Sequence, residues 1–189
     1  MRYFLIITLI SSVLVSCSSS SGPSSEASAY DQKEVKAQFV VKKGTNIAHW
    51  LSQSKRRGEE RKQFFTQKDV QNIARMGFDH IRLPIDEEQM WDENGARHEE
   101  AFALMEACVA WCKEADLRVI VDLHILRSHY FNAKEKPLWT VPAEQEKFFD
   151  LWRDLSKVLS RFPNHMVAYE LMNEAVADDH ESWNQLVKR

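Results

Sequence analysis

The chain has 189 residues with 25 basic and 28 acidic side chains, which gives a formal net charge of −3. It contains no basic run and no basic face studded with aromatic residues, so nucleic acid is an unfavourable partner. Of its three cysteines, Cys108 and Cys112 lie four apart on a predicted helix without neighbouring histidines, which predicts core packing rather than a disulfide or a zinc site.

The N-terminal segment, residues 1–16, has the features of a secretory signal peptide. Arg2 precedes an apolar run, residues 3–15, that is too short to cross a membrane. The run ends in "LVSC", which resembles the lipobox of bacterial lipoproteins. That resemblance implies cleavage before Cys17 and attachment of a lipid to its sulfur. The alternative is an ordinary signal peptide that happens to contain a cysteine.

The segment behind Cys17 favours the lipoprotein, because "SSSSGPSSEASA" is a polar tether with nothing to bury. Two or more acyl chains give stable anchoring. We therefore predict a lipidated cysteine and tether over residues 17–38 and a folded domain over residues 39–189. The expected location is the bacterial cell envelope, on the periplasmic or the cell-surface side of a membrane.

Strand-like and helix-like stretches alternate from about residue 39 onward. The stretch "FVVKKGTNIAHW" predicts a first strand, in which Gly44 permits a turn or the close approach of another group. A helix follows, since "TQKD" from Thr66 is a capping-box pattern and Gly77 supplies a stop. The predicted buried face of this helix consists of Val70, Ile73 and Met76.

Three further strands are predicted at residues 78–85, 118–124 and 166–175. Helices are predicted between them, from about His98 to Ala115 and from about Ala143 to Phe162. The stretch "HESWNQLVKR" starts another helix. The apolar stripes of the two long helices are Phe102, Met105, Val109 and Cys112 in the first, and Phe148, Trp152, Leu155, Leu159 and Phe162 in the second.

This alternation predicts an α/β fold of right-handed βαβ units around a parallel sheet. Neither "GxGxxG" nor a P-loop pattern follows any strand, which disfavours a nucleotide-binding fold. The alternative is a (β/α)8 TIM barrel, whose active site lies at the C-terminal ends of the strands. About four βα units are present, so the expected architecture is the N-terminal half of such a barrel.

Ionisable side chains on three strands are predicted to face one interior. The two-residue period of a strand places Val119, Val121 and Leu123 toward the helices and the intervening residues inward. Charges buried together should pair with one another. We interpret the deeper Asp122 and Glu170 as a structural ion network, and the residues near the strand tips as functional. The inward set is His80, Arg82, Asp122, His124, Glu170 and Glu174.

The second, third and fourth strands end in the short motifs "RLP", "DLH" and "NE", and the first strand lies in "GTNIAHWL". These motifs resemble those of glycoside hydrolase family 5, a family of retaining (β/α)8 glycosidases. The resemblance extends from about residue 43 to the end of the chain. It implies that residues 39–189 are a partial glycoside hydrolase catalytic domain.

The resemblance also implies a role for each matching residue. Arg82 is expected to hydrogen-bond the nucleophile, and His124 to contact the sugar that precedes the cleaved bond. Asn173 is expected to bind the 2-hydroxyl of that sugar, and Glu174 to be the general acid/base. A retaining glycosidase needs such an acid to protonate the leaving oxygen and then to activate water.

Three departures from the family pattern stand out. Ala175 replaces the usual proline after the Asn-Glu pair, and "DLHILRSHYFN" lacks the small residues often found there. The nucleophile of the family is a glutamate of the seventh strand, which is expected beyond residue 189. The chain is therefore expected to be inactive by itself.

Aromatic and histidine side chains in the loops are candidates for stacking on sugar rings. His49 and Trp50 follow the first strand on the predicted active-site face, and Trp139 lies in the long loop after the third strand. Tyr130, Phe131 and His129 in the same loop are further, weaker candidates.

The leading interpretation is a retaining endo-β-glycanase that acts on β-1,4-glucan or a related plant-type polysaccharide, as a monomer without a cofactor. A surface lipoprotein that binds glycan without cleaving it is the alternative. A metal-dependent barrel hydrolase using His80, His124 and Glu174 is a third, but the chain has no His-x-His pair on a strand tip, so we predict no metal.

Overall fold

The computed structural model describes residues 38–177 and 179–189. The predicted signal peptide, Cys17 and nearly all of the tether lie outside these residues. The described part forms an α/β fold around one four-stranded parallel sheet with the order β1-β2-β3-β4, as predicted. The strands are β1 (Gly44–Asn46), β2 (His80–Asp86), β3 (Arg118–Ile125) and β4 (Val167–Glu170).

Helices separate the strands along the chain. The two long helices and the C-terminal helix were predicted to within a few residues, whereas α1, α3 and a short 3-10 helix, Pro137–Trp139, were not. Within the described ranges, no helix combines the length and apolar character needed to cross a membrane. The α-helices are α1 (Gly58–Phe64), α2 (Gln67–Arg75), α3 (Glu87–Met90), α4 (Glu99–Glu114), α5 (Pro142–Leu159) and α6 (His180–Val187).

Local sequence patterns explain where α2 begins and ends. The Asp69 carboxylate accepts a hydrogen bond from the backbone N–H of Thr66 at 2.9 Å, which satisfies a donor ahead of the first turn. Gly77, at φ +76°, stops the helix as predicted. The prediction that Met76 lies on the buried face is wrong, because this residue caps the helix and is 65% exposed.

The core lies between the sheet and the helices. Val119, Val121 and Leu123 of β3 are fully buried on the helix-facing side, as their alternation predicted. Cys108 and Cys112 of α4 are also buried and, within the described part of the chain, form no disulfide. Core packing is therefore confirmed for both thiols.

Two strands are shorter than predicted. β1 contributes only three residues to the sheet, since its pairing with β2 covers only Gly44–Asn46. A methyl group at Gly44 would overlap the His80 ring on the neighbouring strand. Glycine at this position therefore allows the His80 ring to approach the backbone closely. β4 pairs with β3 only as far as Glu170, and the chain then leaves the ladder before Glu174.

A buried carboxylate, that of Glu87, holds three elements together beside the sheet. It is 1% exposed and contacts Arg127 Nη1 at 2.8 Å and Lys147 Nζ at 2.7 Å. Burial alone would raise the pKa of Glu87, but the bonds from Lys147 and Arg127 outweigh it and hold the pKa below its usual value. This contact joins α3, the loop after β3 and α5.

Candidate active site

The guanidinium of Arg82 joins β2, β3 and β4 on the inner face of the sheet. Its Nε and Nη2 atoms donate to the two carboxylate oxygens of Glu170, each at 2.7 Å. Nη2 also lies 2.8 Å from Asp122 Oδ2. Such two-point pairing with a carboxylate is the geometry in which arginine binds most strongly.

The same guanidinium reaches the residues at the strand ends. Arg82 Nη2 donates to Asn173 Oδ1 at 3.0 Å, and Nη1 donates to Asn46 Oδ1 at 3.1 Å. One side chain therefore contacts residues from β1, β3, β4 and the segment that follows β4. This arrangement places Asn173 at the C-terminal rim of the sheet.

A second arm of the network runs along β3. Asp122 is fully buried, and its Oδ2 lies 2.7 Å from Nδ1 of His124. Burial raises the pKa of Asp122, against the opposing effects of His124 and Arg82. The predicted ion network of Asp122 and Glu170 is confirmed. Arg82 and His124 bond to these two acids, so the predicted pairing of the inward charges is confirmed for them. Their functional roles stay predictions.

Glu174 lies in a turn beyond β4 rather than in the strand predicted over residues 166–175. Its side chain is exposed and its backbone has φ +45°. The carbonyl oxygen of Glu174 lies 2.9 Å from His129 Nε2 and accepts a bond from the Val176 N–H at 2.6 Å. A non-glycine residue in this left-handed region is uncommon and often marks a functional position.

The long loop after β3 packs against the turn that carries Glu174. Trp139 Nε1 donates to the carbonyl of Val176 at 2.8 Å, and its ring packs edge-on to His129 at 5.3 Å. Trp139, a predicted sugar-stacking residue, thus lies next to the turn. Its contact with a sugar stays a prediction.

Trp50, the other predicted stacking tryptophan, cannot contact a sugar. It is fully buried, its Nε1 donates to the Arg61 carbonyl at 2.8 Å, and its ring packs on Phe65 at 5.1 Å. This prediction is wrong because the indole fills the core beneath the loop. His49 is exposed, with Nδ1 3.2 Å from the carbonyl oxygen of Gln53, and remains a candidate.

Gln53 joins the rim, although it was not among the predicted site residues. Its side-chain amide lies 3.2 Å from His124 Nε2, and its backbone N–H donates to the buried Asp86 at 2.5 Å. The residue has φ +48°, so its conformation is sparsely populated. Its place just after "AHWLS", on the active-site side of β1, was the available indication.

A metal site of His80, His124 and Glu174 is not formed. His80 is level with Arg118 at the start of β3, so His124 lies about 20 Å further along the strand direction. In the described part of the chain, no cluster of three or more metal-ligating residues occurs. The described residues therefore provide no metal-binding centre for the metal-dependent interpretation.

Comparison with known proteins identifies relatives for this arrangement. The family model described as Cellulase (glycosyl hydrolase family 5) matches residues 30–189. Endoglucanase C from Acetivibrio thermocellus is 35% identical over 150 residues, which are 77% of this chain and 43% of that protein. Cellodextrinase A from Ruminococcus flavefaciens is 29% identical over 155 residues, which are 80% of this chain and 46% of that protein.

A solved structure supports the same fold. A glycoside hydrolase family 5 enzyme from Prevotella bryantii B14 matches with a TM-score of 0.62 and 19% identity, covering 80% of this chain and 49% of that one. The chain thus spans about half the length of the relatives it matches. Its four parallel strands with alternating helices confirm the predicted half of a TIM barrel.

Replacing Arg82 with methionine tests the ion network. Breaking a buried ion pair typically costs about 3 to 5 kcal/mol. Because the Arg82 and Glu170 side chains are 25% and 35% exposed, we expect a loss of about 2 to 3 kcal/mol in the free energy of unfolding near pH 7. Urea denaturation of the complete protein measures this loss.

The loss should shrink as the pH falls from about 7 to about 5. Without Arg82, the already raised pKa of Asp122 rises further, and a carboxyl with a raised pKa favours the folded protein at low pH. The control is Arg153→Met, which removes an exposed pair with Asp150 and should cost less than about 0.5 kcal/mol. Equal losses for the two variants, or a deficit independent of pH, would contradict the proposed network.

Proposed function

The chain belongs to glycosyl hydrolase family 5, the cellulase family, and from this membership we propose that the complete protein is a retaining endo-acting β-glycanase. Its proposed substrate is β-1,4-glucan or a related plant-type polysaccharide. The observation that carries the proposal is the position of Asn173 and Glu174 at the sheet rim, next to the Arg82 network. The printed names of the relatives, an endoglucanase and a cellodextrinase, agree with this substrate class.

Glu174 is the proposed general acid/base. In the first step its carboxyl proton passes to the glycosidic oxygen while the bond to the sugar breaks and the anomeric carbon bonds to a nucleophilic carboxylate. In the second step the Glu174 carboxylate takes a proton from water, whose oxygen replaces the enzyme on the sugar. The two carboxyl groups of a retaining enzyme lie about 5 to 5.5 Å apart, and the partner of Glu174 is expected from strand seven of the barrel.

Asn173 is suited to bind the sugar because, among the described residues, only the oxygen of its amide has a hydrogen-bond partner. The Oδ1 atom accepts from Arg82 at 3.0 Å, so the two N–H donors on Nδ2 are left for other partners. An N–H of this kind can donate to the 2-hydroxyl of a sugar. Such a bond can strengthen as charge develops on the ring in the transition state.

His124 offers a complementary acceptor. Because the Asp122 carboxylate can only accept, Nδ1 of His124 carries the hydrogen of the 2.7 Å bond between them. In the neutral ring, Nε2 is then an acceptor at the rim, 3.2 Å from the Gln53 amide. The Gln53 amide occupies the one lone pair of Nε2, so a sugar hydroxyl can donate to this nitrogen by displacing that amide. These groups bind and orient the sugar with carboxyl, amide and imidazole chemistry, and no step assigned to them calls for a cofactor.

We also propose that the protein is a monomer anchored by lipid on Cys17 to the bacterial cell envelope. The support is the lipobox-like "LVSC" and the serine-rich tether. The family match begins at residue 30, which leaves the lipobox and most of the tether ahead of the hydrolase sequence. Such a tether keeps a hydrolase near the membrane while leaving it free to reach a polymer.

Replacing Glu174 with alanine tests the acid/base assignment in the complete protein. For substrates whose leaving group needs protonation, kcat/KM should fall about 100-fold or more. For activated aryl cellobiosides, kcat/KM should fall little. Azide should restore turnover of the activated substrate and give a β-glycosyl azide, the product expected of retention. Product analysis together with initial rates measures both effects.

Equal losses on both substrate types, without rescue by azide, would indicate a structural carboxylate instead. Binding of glucan by the parent protein without any turnover would favour the non-catalytic glycan-binding lipoprotein.

Replacing Cys17 with serine tests the anchor, because serine lacks the sulfur that carries the lipid. The variant should leave the membrane fraction and appear in the soluble fraction of cells that express the complete protein. Fractionation followed by immunoblotting measures the distribution, with Cys108→Ser as the control for loss of a thiol. A Cys17→Ser variant that stays in the membrane fraction would rule out this anchor.

A further inference from the structure

The backbone of Glu174 adopts a conformation that its neighbours must hold in place. Its φ of +45° lies in the left-handed region, which is sterically unfavourable for a non-glycine residue. On one side, the Asn173 N–H donates to the Leu123 carbonyl of β3 at 3.3 Å. On the other, the Val176 N–H donates to the Glu174 carbonyl at 2.6 Å. Strain of this kind persists only where the surroundings over-determine it.

His129 supplies a further bond to this turn from outside it. Its Nε2 lies 2.9 Å from the Glu174 carbonyl oxygen, and because a carbonyl oxygen only accepts, Nε2 carries the hydrogen. The residue is 1% exposed. Among the residues that the structure describes, none bonds to its buried Nδ1. Burial lowers the pKa of His129, so the ring is neutral and has a single N–H, which points at Glu174.

The segment that carries His129 is itself rigidly supported. Leu126 and His129 exchange backbone hydrogen bonds at 3.0 and 3.2 Å, which closes a tight turn. Between them, Arg127 donates its backbone N–H and its Nη1 to the two oxygens of Glu87, each at 2.8 Å. Glu87 is buried and also pairs with Lys147. The segment that carries the His129 imidazole is thus joined to α3 and α5 through the contacts of Glu87.

Trp139 fastens the same two loops at a second point. Its Nε1 donates to the Val176 carbonyl at 2.8 Å, and its ring packs edge-on against His129. The turn after β4 is therefore held at Glu174 and at Val176 by side chains of the loop after β3.

We propose that His129 is the positioning residue of Glu174: its Nε2–H holds the backbone of the acid so that the carboxyl group meets the glycosidic oxygen. His129 itself touches neither the sugar nor the reacting atoms. This inference rests on the proposed function, since the position of Glu174 matters for rate only if Glu174 is the acid/base. A displacement of about 1 Å at a catalytic group can cost about 100-fold in rate.

The test compares two substitutions at His129 in the complete protein. His129→Phe keeps a ring against Trp139 but removes the donor, and should lower kcat/KM on cello-oligosaccharides about 10- to 100-fold. The same variant should change kcat/KM on dinitrophenyl cellobioside less than about threefold, because this leaving group needs little protonation. His129→Gln, whose amide N–H can replace Nε2–H, should recover activity to within about fivefold of the parent.

The matched control is His165→Phe, since His165 precedes β4 at the opposite end of the sheet. The activity of this variant should equal that of the parent on both substrates. Unchanged activity of His129→Phe would overturn the proposal, as would equal losses on the two substrates that His129→Gln does not relieve. Failure of the proposed function has a different result, because Glu174→Ala would then fail to discriminate between the two leaving groups.

Discussion

The hydrogen bonds of the planar, forked guanidinium group of Arg82 (the fork) are the interactions on which the rest of the rim depends. Its five N–H donors are shared among Glu170, Asp122, Asn173 and Asn46, which belong to or follow three different strands. A lysine at this position offers a point charge and no planar fork, so it cannot reproduce these contacts. Because the guanidinium contacts the buried Asp122, the half-buried Glu170 and the amide of Asn173, it both balances the charges inside the sheet and sets the geometry of the rim.

A second constraint acts on the loop that faces the rim. The buried Glu87 holds the segment with Arg127, and the segment in turn presents His129 to the Glu174 turn. Asn173 is thereby fixed from the sheet, whereas Glu174 is fixed from the loop after β3. These two neighbouring residues depend on separate supports, which explains how an exposed carboxylate keeps a left-handed backbone beside a rigid amide.

Much of this could be predicted from the sequence, and the failures have physical causes. Hydrophobic alternation located β3, and the spacing of apolar residues located α4 and α5, because burial on one face imposes those periods. The position of Glu174 was missed, since a strand pattern carries no information on where pairing with its neighbour stops. Trp50 was assigned to the surface because its place after β1 does not reveal that its indole turns into the core. The contacts of His129 and Gln53 join segments that are distant in the chain, so a local sequence pattern does not predict these contacts.

The most direct measurement is a double-mutant cycle between Arg82 and Asn173 in the complete protein, followed by kcat/KM on cello-oligosaccharides. Arg82→Lys removes the fork, and Asn173→Ala removes the amide that the fork holds at 3.0 Å. If the guanidinium acts on the sugar through this amide, the loss in the double variant should be at least about fivefold smaller than the product of the single losses, a coupling of about 1 kcal/mol. Single losses that multiply without coupling would show that Arg82 and Asn173 act independently and would contradict the role given to the fork.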